Sequence, residues 1–99
     1  MNRAEIITKL KAIEPQLRAQ GVAALYLFGS YARDEARADS DVDMFVDPVD
    51  DNTFGLIPLF SSRAVVESTL PGMDIAYSTR ASIVPGYRPY IERDAIRVF

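Results

Sequence analysis

Between Gly21 and Gly29 runs an unbroken apolar segment, Val22-Ala23-Ala24-Leu25-Tyr26-Leu27-Phe28. A run this short, closed at both ends by glycine, favours a buried strand over a helix. The residues after it constrain the chain further. Gly29-Ser30 turns directly into a short helical stretch, Tyr31 to about Ala36, and Arg37-Ala38-Asp39-Ser40 reads as a loop. Asp41-Val42-Asp43-Met44-Phe45-Val46-Asp47 then reads as a second strand, ended by Pro48.

Around this pair the pattern alternates. Residues 2–20 predict an amphipathic helix, with Ile6, Leu10, Ile13 and Leu17 recurring at steps of three and four. Pro15 falls inside it and marks a kink or break, and Gly21 suits its C-terminal cap. Asp50-Asp51-Asn52-Thr53 offers N-caps for a helix from about Thr53 to Leu70, weakened in its first turn by Gly55 and Pro58. Pro71-Gly72 signals a turn, and Met73 to Tyr77 reads as a third strand. Ser82 to about Arg93 is a helical stretch interrupted by Pro85, Gly86 and Pro89, and Ala95 to Phe99 a short last strand. Strands and helices in this order predict an α/β fold, a small mixed sheet of three to four strands with helices packed on it. With 99 residues, 48% of them hydrophobic, the chain supports one core, so residues 1–99 are expected to form a single domain.

Composition removes several kinds of chemistry. The chain has no histidine and no cysteine. Imidazole bases, Ser-His triads, thiolates and disulfides are therefore excluded, and any metal must be held by oxygen, as Mg²⁺, Mn²⁺ or Ca²⁺ are. The net charge is −3, and Asp34, Glu35, Asp39, Asp41, Asp43, Asp47, Asp50 and Asp51 crowd into one stretch. A non-specific nucleic-acid binder would show a basic stripe instead, so no direct nucleic-acid binding is expected. No apolar run approaches the roughly 20 residues that span a bilayer, and the first residues show no signal peptide. A cytoplasmic location without membrane association is expected.

The acidic stretch gains meaning from its spacing. Glycine after a strand lets the backbone turn tightly and approach a ligand closely. The amides that open the next helix are unpaired donors suited to phosphate oxygens, and the Ser30 hydroxyl adds another. Residues i and i+2 of a strand share a face, so Asp41 and Asp43 can aim both carboxylates at one point while Val42 faces the core. Two convergent carboxylates repel, and a divalent cation removes that cost. Asp74, in the third strand, supplies a further acid that would be costly to bury unpaired. If that strand neighbours the second, Asp74 joins the pair, binds a second metal and helps deprotonate an attacking hydroxyl. Asp39-x-Asp41-x-Asp43 also imitates the start of a calcium loop, but Met44 stands where that loop needs glycine. Arg33 and Arg37 could contact phosphates but read rather as balancing their acidic neighbours, and Tyr31, Tyr77, Tyr87 and Tyr90 read as packing or interface residues.

The pattern G-S-x10-D-x-D resembles that of the DNA polymerase beta-like nucleotidyltransferase superfamily, and in so short a chain its minimal nucleotidyltransferase (MNT) group. The resemblance runs through nearly the whole chain, although its specific part is Gly29 to Val46. It implies a polymerase beta palm-like fold. It also implies that Gly29 and Ser30 hold a nucleoside triphosphate, and that Asp41, Asp43 and Asp74 bind the metals, two Mg²⁺ ions, and carry catalysis. Members often have glycine after the Ala-Arg pair, where this chain has Asp34. Many minimal members are antitoxins encoded beside a HEPN-type ribonuclease toxin. The resemblance thus implies transfer of AMP from ATP to a tyrosine hydroxyl of such a toxin, within a hetero-oligomer. Two other readings fit the residues: a non-catalytic antitoxin that occludes its partner, and a transferase acting on a small molecule. Little length remains after the catalytic core for an acceptor-binding domain, which favours an acceptor supplied by a partner.

Overall fold

A computed structural model describes all 99 residues. The chain begins with two helices where the periodicity predicts one. Helix α1 covers Arg3–Ala12 and α2 covers Glu14–Ala19. Asn2 caps α1 reciprocally with Glu5: the Glu5 amide donates to the Asn2 side chain and the Asn2 amide to the Glu5 carboxylate. The break falls at Pro15, which lies in the first turn of α2. Its ring cannot donate to the preceding turn, but it is well accepted where a helix starts. Gly21, at φ +95°, then reverses the chain into the sheet.

Strand β1 spans Val22–Phe28, as the apolar run predicts, and β2 spans Val42–Pro48. They pair antiparallel, with Tyr26 opposite Phe45, Leu27 opposite Met44 and Phe28 opposite Asp43. Between them α3 is a single turn, Gly29–Ala32, shorter than the stretch to Ala36 that the sequence suggests. It stops because Asp34 takes a left-handed backbone, at φ +60°.

Helix α4 spans Leu56–Thr69 and starts later than expected. The Asp50 carboxylate accepts from the Asn52 amide and folds residues 50–54 into a turn instead of capping a helix. Strand β3 spans Ile75–Thr79 and pairs parallel to β2. A 3₁₀ turn at Arg80–Ser82 leads to α5, Arg88–Asp94, whose first turn holds Pro89. Strand β4, Ile96–Arg97, closes the far edge beside β1. The sheet is mixed, in the order β3-β2-β1-β4.

The pleat sorts the side chains onto two faces. On one, Leu25, Leu27, Val42, Met44, Val46, Ile75 and Tyr77 join Ile6, Leu10 and Leu17 of α1 and α2 and Val66 of α4 in the main core. Tyr77 donates to the Ser62 hydroxyl of α4 at 2.8 Å, which satisfies the phenol inside that core. On the other face, Phe45 is fully buried between Tyr26, 4.8 Å away ring to ring, and Phe28, 5.7 Å away. Arg80 lies over both Tyr26 and Phe45, its guanidinium carbon 4.8 Å from each ring centre. It donates to both oxygens of Asp47 at 2.9 Å and also contacts Glu92 of α5. This aromatic face, floored by β1 and β2 and tied to α5, carries Asp43.

Candidate active site

Three chain segments meet where β1 ends. Phe28 closes the strand, Gly29 at φ +72° turns the backbone, and Ser30 follows in α3. Opposite them, Asp43 projects from β2 as the partner of Phe28. A Cβ on Gly29 would stand inside contact distance of the Asp43 Oδ2 and only 3.1 Å from its Cγ. The carboxylate thus occupies the space that glycine leaves free, and any other residue at this turn would meet both a strained backbone and the Asp43 side chain. The Gly29 carbonyl accepts from the Arg33 amide at 3.2 Å and the Ser30 carbonyl from the Glu35 amide at 2.8 Å, which hold the turn closed.

Asp43 is electrostatically uncomfortable. Burial pushes its carboxyl above the ordinary value of 3.8, the charge of Asp41 pushes it further in the same direction, and Arg33 pulls it partly back. The repulsion predicted for the D-x-D pair is therefore present, and the single nearby cation only partly offsets it.

Asp41 and Asp74 each lie one residue ahead of a strand, where the sequence reading put both inside one. Both are exposed. The parallel register sets Val42 beside Ile75 and Asp43 beside Ala76, and the Val42 amide donates to the Asp74 carbonyl at 2.8 Å. One residue back along each strand, Asp41 and Asp74 leave the same end of the sheet together. The three carboxylates are not gathered into a closed ligand cluster: no group of three or more acidic side chains is close enough to hold a metal ion. The donor set is all oxygen, and its innermost member is disfavoured as an anion by burial and a like charge. That chemistry fits a hard divalent cation arriving with the anionic ligand it binds.

The two arginines that the sequence sets beside the acidic residues differ in the structure. Arg33 contacts Glu35 at 3.6 Å and Asp94 of α5 at 4.0 Å, so it faces the site as well as its acidic neighbours. Arg37 has no ion pair: its amide donates to the Ser40 hydroxyl at 2.8 Å and shapes the loop before Asp41. Beside Gly29, a groove of about 330 Å³ opens between the start of α3 and helix α5. Sequence spacing could not reveal it, because it depends on where α5 docks.

The family model for the nucleotidyltransferase domain matches residues 4–98. Among solved structures, one described as a minimal nucleotidyltransferase is 26% identical, with a TM-score of 0.82 over 97% of this chain and 95% of that one. A toxin-antitoxin structure with AMP-PNP is 22% identical, with a TM-score of 0.70 over 92% of this chain and 72% of the other. A mutant of the toxin-antitoxin MntA-HpeT is 20% identical, with a TM-score of 0.64 over all of this chain and 73% of the other. A comparison with curated protein sequences gives no match.

Proposed function

Because the chain belongs to the nucleotidyltransferase domain family, we propose that it moves AMP from ATP to a hydroxyl of a partner protein, a tyrosine of a HEPN-type toxin, and so acts as its antitoxin in the cytoplasm. The observation that carries this reading is the lodging of Asp43 against Gly29. It brings a carboxylate directly to a turn whose amides are free to bind phosphate. The partner part draws on the likeness to the two toxin-antitoxin structures, one of them with AMP-PNP.

In this reading the Gly29 and Ser30 amides and the Ser30 hydroxyl hold the phosphates of ATP. Arg33, across the turn, adds a positive charge to the same anion. Asp41, Asp43 and Asp74 hold Mg²⁺, which when bound neutralises charge on the phosphates and on the departing pyrophosphate. The acceptor oxygen attacks the α-phosphorus, and its proton passes to the Asp74 carboxylate. A bond forms between that oxygen and phosphorus, the bond to the β-phosphate oxygen breaks, and pyrophosphate leaves. The exposed positions of Asp41 and Asp74 suit an acceptor that approaches from solvent on another chain.

The test is transfer from labelled ATP with Mg²⁺ in a lysate of the source cells, with an Asp41→Asn, Asp43→Asn double variant as control. A labelled protein band with the native chain alone is the expected result, and its mass identifies the acceptor. A double variant that still fully neutralises the partner would replace this reading with occlusion. A labelled small molecule and no labelled protein would replace the acceptor.

A further inference from the structure

The groove between α3 and α5 has a lining that a phosphate site does not explain. From the β1–α3 turn it receives Gly29 and Arg33 beside the Phe28 ring. From α5 it receives Tyr90, Ile91, Arg93 and Asp94. The two guanidinium groups would suit phosphate. Asp94 would not: a carboxylate inside a pure anion site opposes the ligand. Its presence calls for a ligand that brings hydrogen-bond donors as well as negative charge.

The rest of the lining narrows the choice. Tyr90 is 64% exposed, so the fold leaves most of this aromatic residue open to solvent. The Arg93 guanidinium lies over it, 5.9 Å from the ring centre. Asp94 is held by Arg93 at 3.5 Å and by Arg33 at 4.0 Å, both longer than hydrogen bonds. Its oxygens therefore remain free to accept from a ligand, in contrast to Asp47, which Arg80 engages through both. A volume of about 330 Å³ is at the small end for ligand pockets and matches one small molecule rather than a folded segment.

We infer that this groove is the nucleoside subsite: the base lies on the Tyr90 ring and the ribose hydroxyls donate to Asp94, with the phosphates leading out past Gly29. This rests on the nucleotidyltransferase reading above. Stacking explains the exposed ring, since every base offers a flat face. The carboxylate explains sugar selection, because a ribose presents donors that a deoxyribose lacks. The mouth of the groove at Gly29 explains the path, because that turn is where the phosphates are held.

Calorimetric titration with Mg²⁺ separates the parts. ATP, 2′-deoxyATP and inorganic tripolyphosphate are titrated into the native protein and into Tyr90→Ala, Tyr90→Phe and Asp94→Asn. Tyr90→Ala is expected to weaken ATP about tenfold and leave tripolyphosphate within about twofold, while Tyr90→Phe keeps ATP binding. Asp94→Asn is expected to erase the preference for ATP over 2′-deoxyATP. Equal losses of ATP and tripolyphosphate in Tyr90→Ala would put phosphates in the groove and overturn the inference. Unchanged ATP binding with loss of transfer would make it the acceptor's groove and overturn it too. A native protein that binds neither ATP nor tripolyphosphate would instead bring down the reading on which the inference rests.

Discussion

The Asp43 carboxylate fills the volume that Gly29 leaves beside it, with the Asp43 Cβ 3.2 Å and its Cγ 3.1 Å from the position a Gly29 side chain would take. Strand pairing produces this fit, because Phe28 and Asp43 are register partners and Gly29 is the next residue to leave the strand. The Gly29 turn and the acid are therefore one packed unit.

Gly29→Ala should show both halves of that unit. A left-handed backbone at φ +72° costs an alanine about 1–2 kcal/mol, and the clash with Asp43 adds to it. In an Asp43→Ala background the clash is gone and the conformational part remains. Urea denaturation of the four proteins in the cycle is expected to give a smaller loss for Gly29→Ala when Asp43 is absent. Equal losses in both backgrounds would mean that the two residues do not share the space.

The raised pKa of Asp43 has a definite sign in stability. A carboxyl with a folded value above its ordinary 3.8 holds its proton more tightly when folded. Its contribution is favourable at low pH and is lost as pH rises from about the ordinary value through the folded one. Asp43→Asn removes that dependence, so the stability of the variant relative to the native protein should climb across this window and stay higher at neutral pH without metal. Thermal melts from pH 3 to 7 check this. Added Mg²⁺ with ATP should raise the melting temperature of the native protein and leave the variant unmoved.

The parts of this arrangement that are legible in the sequence are those made by neighbours in the chain. Val22–Phe28 declares a strand through its own run, and Val42 declares the core face by its place between Asp41 and Asp43. Pro15 marks the helix break because its effect is local. Asp74 is misplaced by one residue because strand ends depend on pairing, which spacing does not reveal. The groove is illegible for a stronger reason. Arg33 and Asp94 are 61 positions apart in sequence, and only the docking of α5 brings them together.

Asp34 marks a place where the chain keeps a conformation with an unfavourable residue. Its φ of +60° is left-handed, and glycine relieves about 1–2 kcal/mol of that strain while losing roughly 0.5–1 kcal/mol to the freedom of the unfolded chain. Asp34→Gly should stabilise the protein by up to about 1 kcal/mol in urea denaturation. A loss of stability would show that the Asp34 side chain makes a compensating contact in solution.

Arg80 is the remaining joint, and it connects the sheet to the wall of the groove. It donates to both oxygens of Asp47 in β2, contacts Glu92 in α5 and covers the rings of Tyr26 and Phe45. Its side chain is only 28% exposed, so these pairs are partly shielded from solvent. Charged hydrogen bonds of this kind and the ring contacts together suggest a loss of about 2–3 kcal/mol for Arg80→Ala. Arg80→Lys should recover less than half, because an ammonium cannot match Asp47 at two points or lie flat on the rings. The Glu92 arm should be visible separately: in a Glu92→Gln background the cost of Arg80→Ala should shrink. Hydrogen exchange at residues 88–94 should also speed up in Arg80→Ala more than exchange in β1. An undiminished cost, with α5 as protected as before, would show that Arg80 braces the sheet alone and that α5 is held to the groove by its own packing.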